Sequence, residues 1–308
     1  MIRLGLCCIF SEEPIKFRTT TAAYLSRIDQ PYAYLSQIIA DNIAALKQSL
    51  AYCARHGIGC FRLSSKFFPL CSHPDWKYQL EDLPNGAFLL DGLKACRKDK
   101  EAYGLRLTIH PDQFIVLNSP KDEVVTHAIA ELTYHARLAD AVGIDVINLH
   151  GGGVYGDKQT ALNRFKATYC QLPQAIQSRL TLENDDKSYT PADLLPLCAQ
   201  LNIPFVYDVH HHRCLPDDLS IEEATARAIQ TWNREPLVHL SSPREGWEGP
   251  KPHRHHDMIA IHDFPPCWEN LSPLTVEVEA KLKEVAIADL RKSLIQKNLP
   301  LWQAINLS

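Results

Sequence analysis

Short apolar runs alternate with longer amphipathic segments along this chain. The short runs have the near-continuous apolar character of strands that are buried on both faces of a parallel sheet. They cover residues 2–9, 60–64, 105–109, 145–149, 180–183, 204–209, 236–240 and 274–279. The alternation of strands with helical segments predicts an α/β fold.

The helical segments are indicated by an apolar stripe and by residues that start or stop a helix. Gly57 and Gly143 are placed to end two helices, and Ser119 followed by Pro120 is a predicted start. Ser220 is followed three residues later by a glutamate, as in a capping box. Helical patterns cover residues 33–56, 119–143, 161–178, 190–202, 220–232 and the tail after Lys281.

Eight strands alternating with helices over 308 residues predict a single (β/α)8 TIM barrel that spans residues 1–308. A doubly wound open sheet is the structural alternative. The sequence contains no linker and no internal repeat. Residues 66–88 and 241–257 are too rich in proline or too irregular for a helix, so we expect long functional loops there.

The composition indicates a globular cytoplasmic protein. Hydrophobic residues make up 45% of the chain and charged residues 22%, and no apolar run approaches the length of a membrane helix. The ten cysteines contain no C-x-x-C pair and lie in apolar surroundings, as in reduced cytosolic proteins. We therefore expect a monomer in the cytoplasm, without a membrane partner.

The net charge of −4 bears on the choice of partner. A protein that binds DNA through its phosphates usually carries a basic surface. Carboxylates that hold metal ions count as negative charges in this sum, and bound cations reverse the local sign. Overall acidity is therefore compatible with DNA binding if the acidic residues gather around metal ions.

Histidines and acidic residues, which can bind metal ions, occur where the predicted strands end. In a TIM barrel the carboxyl ends of all strands meet at one rim, where active sites are built. An unpaired buried carboxylate costs several kcal/mol, so acidic residues at the end of apolar strands indicate a nearby cation. The residues at these ends are His110, His150, Glu183 to Asp185, Asp208, His210 to His212, His239 and Glu279.

Imidazole and carboxylate groups without thiolates favour Mn²⁺, Zn²⁺ or Fe²⁺, and their number favours more than one ion. Such a centre serves phosphodiester hydrolysis and sugar isomerisation alike, so both remain open at this point. On an extended strand Asp208 and His210 share one face, and His211 lies on the other. A turn after Val209 would change this, so the residues alone leave open which histidine binds.

The residue sequence of several motifs favours phosphodiester hydrolysis over sugar isomerisation. Residues 110–114 (HPDQF) and 182–187 (LENDDK) resemble the strand-three and strand-five signatures of UV damage endonucleases, which are relatives of endonuclease IV. Further motifs follow in the order of that family. They lie at residues 72–74, 148–150, 208–211, 239–243, 255–257 and 279–281.

The resemblance implies two or three divalent ions, most often manganese, with zinc or magnesium as alternatives. It also implies a catalytic role for Glu183 and, for His73, assistance at the scissile phosphate. The implied ligands are His110, His150 and Glu183 for the first ion, Glu183, Asp208, His239 and Glu279 for the second, and His211 and His255 for the third.

The implied partner is damaged double-stranded DNA, which would bring the protein to the nucleoid. Members of the family cut on the 5′ side of UV photoproducts, some also cut at abasic sites, and the cut leaves a 3′-hydroxyl. An unstacked lesion is easier to extrude from the helix. The resemblance implies that Gln113 and Phe114 probe the lesion and that Leu6 on the first strand lies near it.

Basic residues on the rim loops are expected to bind the DNA backbone, because they follow barrel strands. They are Lys158, Arg164, Lys187, Arg213, Arg244, Lys251 and Arg254. The chain departs from the family at Leu237, where a lysine is common, and at Phe114, where a tyrosine is common. The alternative functions are an abasic-site endonuclease of the endonuclease IV type, a metal-dependent sugar isomerase and an inactive DNA-binding relative.

Overall fold

The computed structural model describes residues 1–305, and its strands close into a parallel barrel in chain order. Each strand pairs with the next, and β1 pairs with β8 to complete the ring. The strands are β1 (Ile2–Cys7), β2 (Cys60–Leu63), β3 (Arg106–Ile109), β4 (Val146–His150), β5 (Leu180–Glu183), β6 (Phe205–Asp208), β7 (Leu237–Leu240) and β8 (Leu274–Val278). The predicted TIM barrel is confirmed, and the open sheet is excluded.

Helices cover the outside of the barrel and connect successive strands up to β7, whereas the described segment between β7 and β8 contains only short 3-10 turns. Among residues 1–305, no helix is both long and apolar enough to cross a membrane. The helices are α1 (Ala22–Leu25), α2 (Pro31–His56), α3 (Gly86–Tyr103), α4 (Asp122–Val142), α5 (Lys158–Tyr169), α6 (Gln174–Gln177), α7 (Pro191–Leu201), α8 (Val209–Cys214), α9 (Ile221–Gln230) and α10 (Lys283–Gln296).

Two helix boundaries differ from the prediction. Ser119 does not cap α4, which begins three residues later, and its hydroxyl accepts a hydrogen bond from the backbone N–H of Lys121. The preceding Asn118 donates to the carbonyls of Gly151 and Gly153, which ties this segment to the next loop and delays the helix. The predicted helix over 161–178 is two helices, α5 and α6.

Helix α3 is absent from the prediction. It begins inside the segment that was expected to be a loop, after Asn85, whose backbone is left-handed and whose side chain makes no capping bond. The start of α3 therefore lacks a side-chain capping bond. The end of α3 has an ordinary stop signal, because the positive φ of 69° at Gly104 favours glycine there.

Alternation along the strands divides their side chains between two environments. Outward residues such as Leu182 and Val276 pack against the helices in the main core. The barrel interior is largely polar, with a small separate cluster of Val146, Val206 and Leu237. The polar interior places hydrogen-bonding side chains directly beneath the rim where the candidate ligands lie.

Candidate metal centre

Glu183, the last residue of β5, lies in the middle of the rim. Its side chain is 1% exposed. One carboxylate oxygen, Oε2, is 3.0 Å from Nε2 of His110, and the other, Oε1, is 3.0 Å from Nδ1 of His239. Glu183 thus joins residues from β7 and from the end of β3, which are far apart in sequence.

Two buried polar residues orient Glu183 from below. The hydroxyl of Thr181 donates to Oδ1 of Asn148 over 2.8 Å, which fixes the amide so that its Nδ2 donates to Oε2 of Glu183. Thr181 and Asn148 are not among the site residues predicted from the sequence. The available signal was their position, because each precedes a candidate ligand by two residues on an otherwise apolar strand.

The chain turns into α8 directly after Asp208, and this turn decides which histidine faces the centre. Asp208 caps the helix by accepting from the backbone N–H of His211 over 2.8 Å. Nδ1 of His211 consequently lies 3.3 Å from Oδ2 of Asp208. His210 instead packs fully buried against the rings of Trp247 and His255.

Backbone carbonyls orient two of the candidate ligands. Nδ1 of His110 donates to the carbonyl of Pro111 over 3.0 Å, and Nδ1 of His211 donates to that of Asn184 over 3.0 Å. Asn184 also binds both backbone groups of Asp208 through its side chain. A histidine held by one nitrogen presents the other in a defined direction, as metal ligands require.

Glu279 approaches from the other side of the barrel. Its Oε1 accepts from Nη2 of Arg62 over 2.6 Å, and its Oε2 is 3.7 Å from Nδ1 of His255. Two residues earlier, Glu277 lies deeper in the barrel, where Arg62 and His239 are its neighbours. Arg62 and Glu277 are not among the site residues predicted from the sequence, although Glu277 alternates with apolar residues as Glu279 does.

Glu183 and Glu279 have lowered pKa values and are ionised, and His211 and His239, whose pKa values are raised, are protonated beside them. Burial alone raises the pKa of Glu183, but the charges of His239 and His150 hold that pKa well below its usual range. Burial lowers the pKa of His211, yet Asp208 and Glu183 raise it to about 10. Protons thus occupy a place that a divalent cation can take, since metal ligands bind in their deprotonated forms.

The donor atoms fit divalent cations. They form overlapping groups in which the donor atoms lie within 4.8 Å of one another: His110 with His150 and Glu183, Glu183 with Asp208 and His211, and Asp208 with His239 and Glu279. Oδ2 of Asp208 and Nδ1 of His150 are buried and find no hydrogen-bond partner among residues 1–305, which is costly unless a cation binds them. Nitrogen and oxygen donors of this kind suit manganese, zinc or iron.

The members of these groups overlap with the ligand sets that the sequence predicts, which stay a prediction. The first set is brought together as expected. The second set is divided between two groups that share Asp208. His211 and His255, expected to hold a third ion, do not share a group within residues 1–305, since His211 joins Glu183 and Asp208 instead.

A cavity of about 770 Å³ opens beside the centre. Its wall includes His150 and His211 from the centre and Gln113, Phe114 and Lys187 from the rim loops. Phe114 is 75% exposed, so its ring is held by few protein contacts. An exposed aromatic ring at the mouth of a cavity can stack on a nucleobase.

The remaining predicted residues lie in varied surroundings. His73 hydrogen-bonds within its own loop, and in the described part of the chain no ion pair links it to the centre. Arg213 donates to Asp263 and lies over the ring of Trp247, so much of its charge is already engaged. Arg254 is exposed on the loop after β7, and its carbonyl accepts from the backbone N–H of Arg244.

Two apolar residues named in the sequence analysis are buried. Leu6 has no exposed surface, because alternation along β1 points it outward into the core beneath the helices. It cannot touch DNA there, and the expectation that it lies near the lesion is wrong for this structure. Leu237 lies inside the barrel with Val146 and Val206, two residues before His239.

Three comparisons with known proteins all give UV endonucleases as similar proteins. The family model described as UV-endonuclease UvdE matches residues 2–306. A UV DNA damage endonuclease from Deinococcus radiodurans is 38% identical over 94% of both chains, and one from Bacillus velezensis is 41% identical over 77% of this chain and 75% of its own. The crystal structure of SacUVDE superposes with a TM-score of 0.87 at 30% identity, covering 97% of this chain and all of that one.

Proposed function

Because this chain belongs to the UV-endonuclease UvdE family, we propose that it is an endonuclease that nicks UV-damaged DNA. The observation that carries the proposal is the gathering of Glu183, Asp208 and Glu279 with histidines at the barrel rim, beside an open cavity. We propose hydrolysis of the phosphodiester 5′ to the photoproduct, leaving a 3′-hydroxyl. Membership of this family favours DNA hydrolysis over sugar isomerisation.

We propose two or three divalent ions, with manganese as the first choice and zinc or magnesium as alternatives. Bound cations would supply positive charge to the phosphodiester oxygens and acidify a water molecule. Glu183 is the natural bridging ligand, since it belongs to two of the donor groups. Asp208 and Glu279 lie on the opposite side, and the lowered pKa of Glu279 keeps that carboxylate ionised at neutral pH, as cation binding requires.

The cavity is the proposed site of the extruded lesion. Its opening next to His150 and His211 would place a flipped nucleotide close to the centre. Gln113 can occupy the vacated stack and offer hydrogen bonds, and Phe114 can act as an apolar wedge. Lys187 on the cavity wall, with the rim residues Arg244 and Arg254, would bind the DNA backbone.

Replacement of Phe114 by alanine should weaken binding of UV-damaged duplex by about 10-fold, because loss of one base–aromatic stack costs about 1–3 kcal/mol. The melting temperature should stay unchanged, since the ring is 75% exposed. Fluorescence anisotropy with damaged and undamaged duplexes measures the effect. Phe88, exposed on the outer helix α3, provides the matched control as Phe88→Ala. Equal affinities for wild type and Phe114→Ala would contradict the wedge role.

The function is tested with UV-irradiated supercoiled plasmid, purified protein and Mn²⁺. We expect relaxed circles with irradiated plasmid and none with untreated plasmid. A plasmid with abasic sites forms a second arm, in which faster cutting than on the irradiated plasmid would favour the endonuclease IV type of activity. A labelled duplex with one defined photoproduct locates the cut. Absence of nicking in every arm would remove the proposal.

A further inference from the structure

A buried acidic residue that none of the donor groups contains, Glu277, lies below the metal centre. Glu277 lies on β8 and precedes Glu279, the residue that follows this strand, by two positions, so both side chains point to the inside of the barrel. Its side chain is 1% exposed. A carboxylate buried this far is strongly unfavourable unless it is paired, so its partners indicate its role.

The carboxylate of Glu277 is shared between two N–H groups and a hydroxyl. Its Oε2 is 3.1 Å from Nε2 of His239 and 3.1 Å from Nη1 of Arg62. Both nitrogens approach off the line of a straight hydrogen bond, so attraction of opposite charges dominates these contacts. The other oxygen, Oε1, accepts a hydrogen bond from the hydroxyl of Thr108.

Both charged partners of Glu277 also reach the centre. The second ring nitrogen of His239, Nδ1, is 3.0 Å from Glu183 and 3.7 Å from Glu279. The second terminal nitrogen of Arg62, Nη2, is 2.6 Å from Glu279. Each partner thus has one end on Glu277 and the other on a candidate ligand.

We propose that Glu277 is a positioning residue that, with Arg62, holds His239 and Glu279 in the geometry that binds the second cation. The negative charge of Glu277 at 3.1 Å attracts the Nε2 edge of the imidazole, which turns Nδ1 toward the cation site. Carboxylates that accept from a ligating histidine fix its tautomer and raise its basicity. The inference rests on the proposed function, since it assumes that the centre binds divalent cations.

A purely structural ion pair would behave differently. Glu235 provides such a pair at the opposite end of the barrel, where it binds Arg3 and accepts from the hydroxyl of Thr275. It precedes β7 and has no contact with the candidate ligands among residues 1–305. Glu235→Gln is therefore a matched control for loss of a partly buried negative charge.

The test measures Mn²⁺ binding without DNA, by isothermal titration calorimetry. Glu277→Leu should weaken binding at one site by about 10–100-fold, the usual effect of losing a group that supports a metal ligand. Glu277→Gln keeps an oxygen acceptor for Nε2 and should lose less. Glu235→Gln should bind Mn²⁺ like the wild type. In nicking assays, kcat should fall for Glu277→Leu while KM for DNA stays constant.

Wild-type Mn²⁺ affinity in Glu277→Leu, with only a lower melting temperature, would overturn the inference. Should this variant fail to fold, the double variant Arg62→Met with Glu277→Leu removes both charges together and should show the same loss of affinity. A wild-type protein that binds no Mn²⁺ would overturn the inference and the proposed metal centre. Weaker Mn²⁺ binding by Glu277→Leu in a protein that nicks no damaged DNA would support the inference and remove the proposed function.

Discussion

Substitution of Glu183 by glutamine should reduce nicking of UV-irradiated plasmid by at least ~10³-fold, the upper end of what loss of one preorganised charged group costs. Glu183 takes part in two donor groups, so one neutral amide removes negative charge from both. The fold should remain intact, because glutamine has the same shape and can still accept from Asn148. Time courses of plasmid relaxation measure the loss, and circular dichroism monitors the fold.

Glu235→Gln is again the control, since it makes the same chemical change at the far end of the barrel. It should nick at the wild-type rate. Calorimetry should also show weaker Mn²⁺ binding in Glu183→Gln. Undiminished nicking by this variant would exclude the catalytic and bridging role of Glu183.

Removal of divalent cations with EDTA should abolish nicking, and added Mn²⁺ should restore it. Without cations, protonated His211 and His239 balance the charges of Glu183 and Glu279, and an imidazolium concentrates less positive charge at a phosphodiester oxygen than a divalent ion does. Cation binding should also stabilise the fold. A site held at 100 times its Kd contributes about 2.7 kcal/mol, or roughly 5 °C in melting temperature for a chain of this size.

Titration of the EDTA-treated protein with Mn²⁺, Zn²⁺ and Mg²⁺ identifies the preferred ion. The ion that restores nicking at the lowest concentration should also raise the melting temperature at the lowest concentration. Asp208→Asn should reduce this thermal shift, because Oδ2 of Asp208 is buried and accepts no hydrogen bond from the described residues. Nicking that persists in excess chelator would contradict metal dependence.

Most of the barrel could be predicted from local pattern. Seven of the eight strands lie within the range that their apolar run indicated, and β4 extends one residue further, to His150. Short, mostly apolar runs mark these strands because each strand is buried on both faces. The C-terminal glycines Gly57 and Gly143 were also recognised, since both have positive φ. Helix α3 was missed, because it begins after a left-handed asparagine without a capping bond.

The sequence by itself determined the barrel and the residue types at its rim, including Glu183, Asp208 and Glu279. Only the tertiary structure decided that His211 rather than His210 turns toward Asp208, since that depends on a helix starting one residue after β6. It also decided that Leu6 faces the helices and that Arg62 meets Glu279 across 217 positions. The physical reason is that the spacing of apolar residues reports only on neighbours along the chain, which set the helices and strands. Ion pairs inside the barrel join residues that are distant in sequence, and these meet only when the barrel closes.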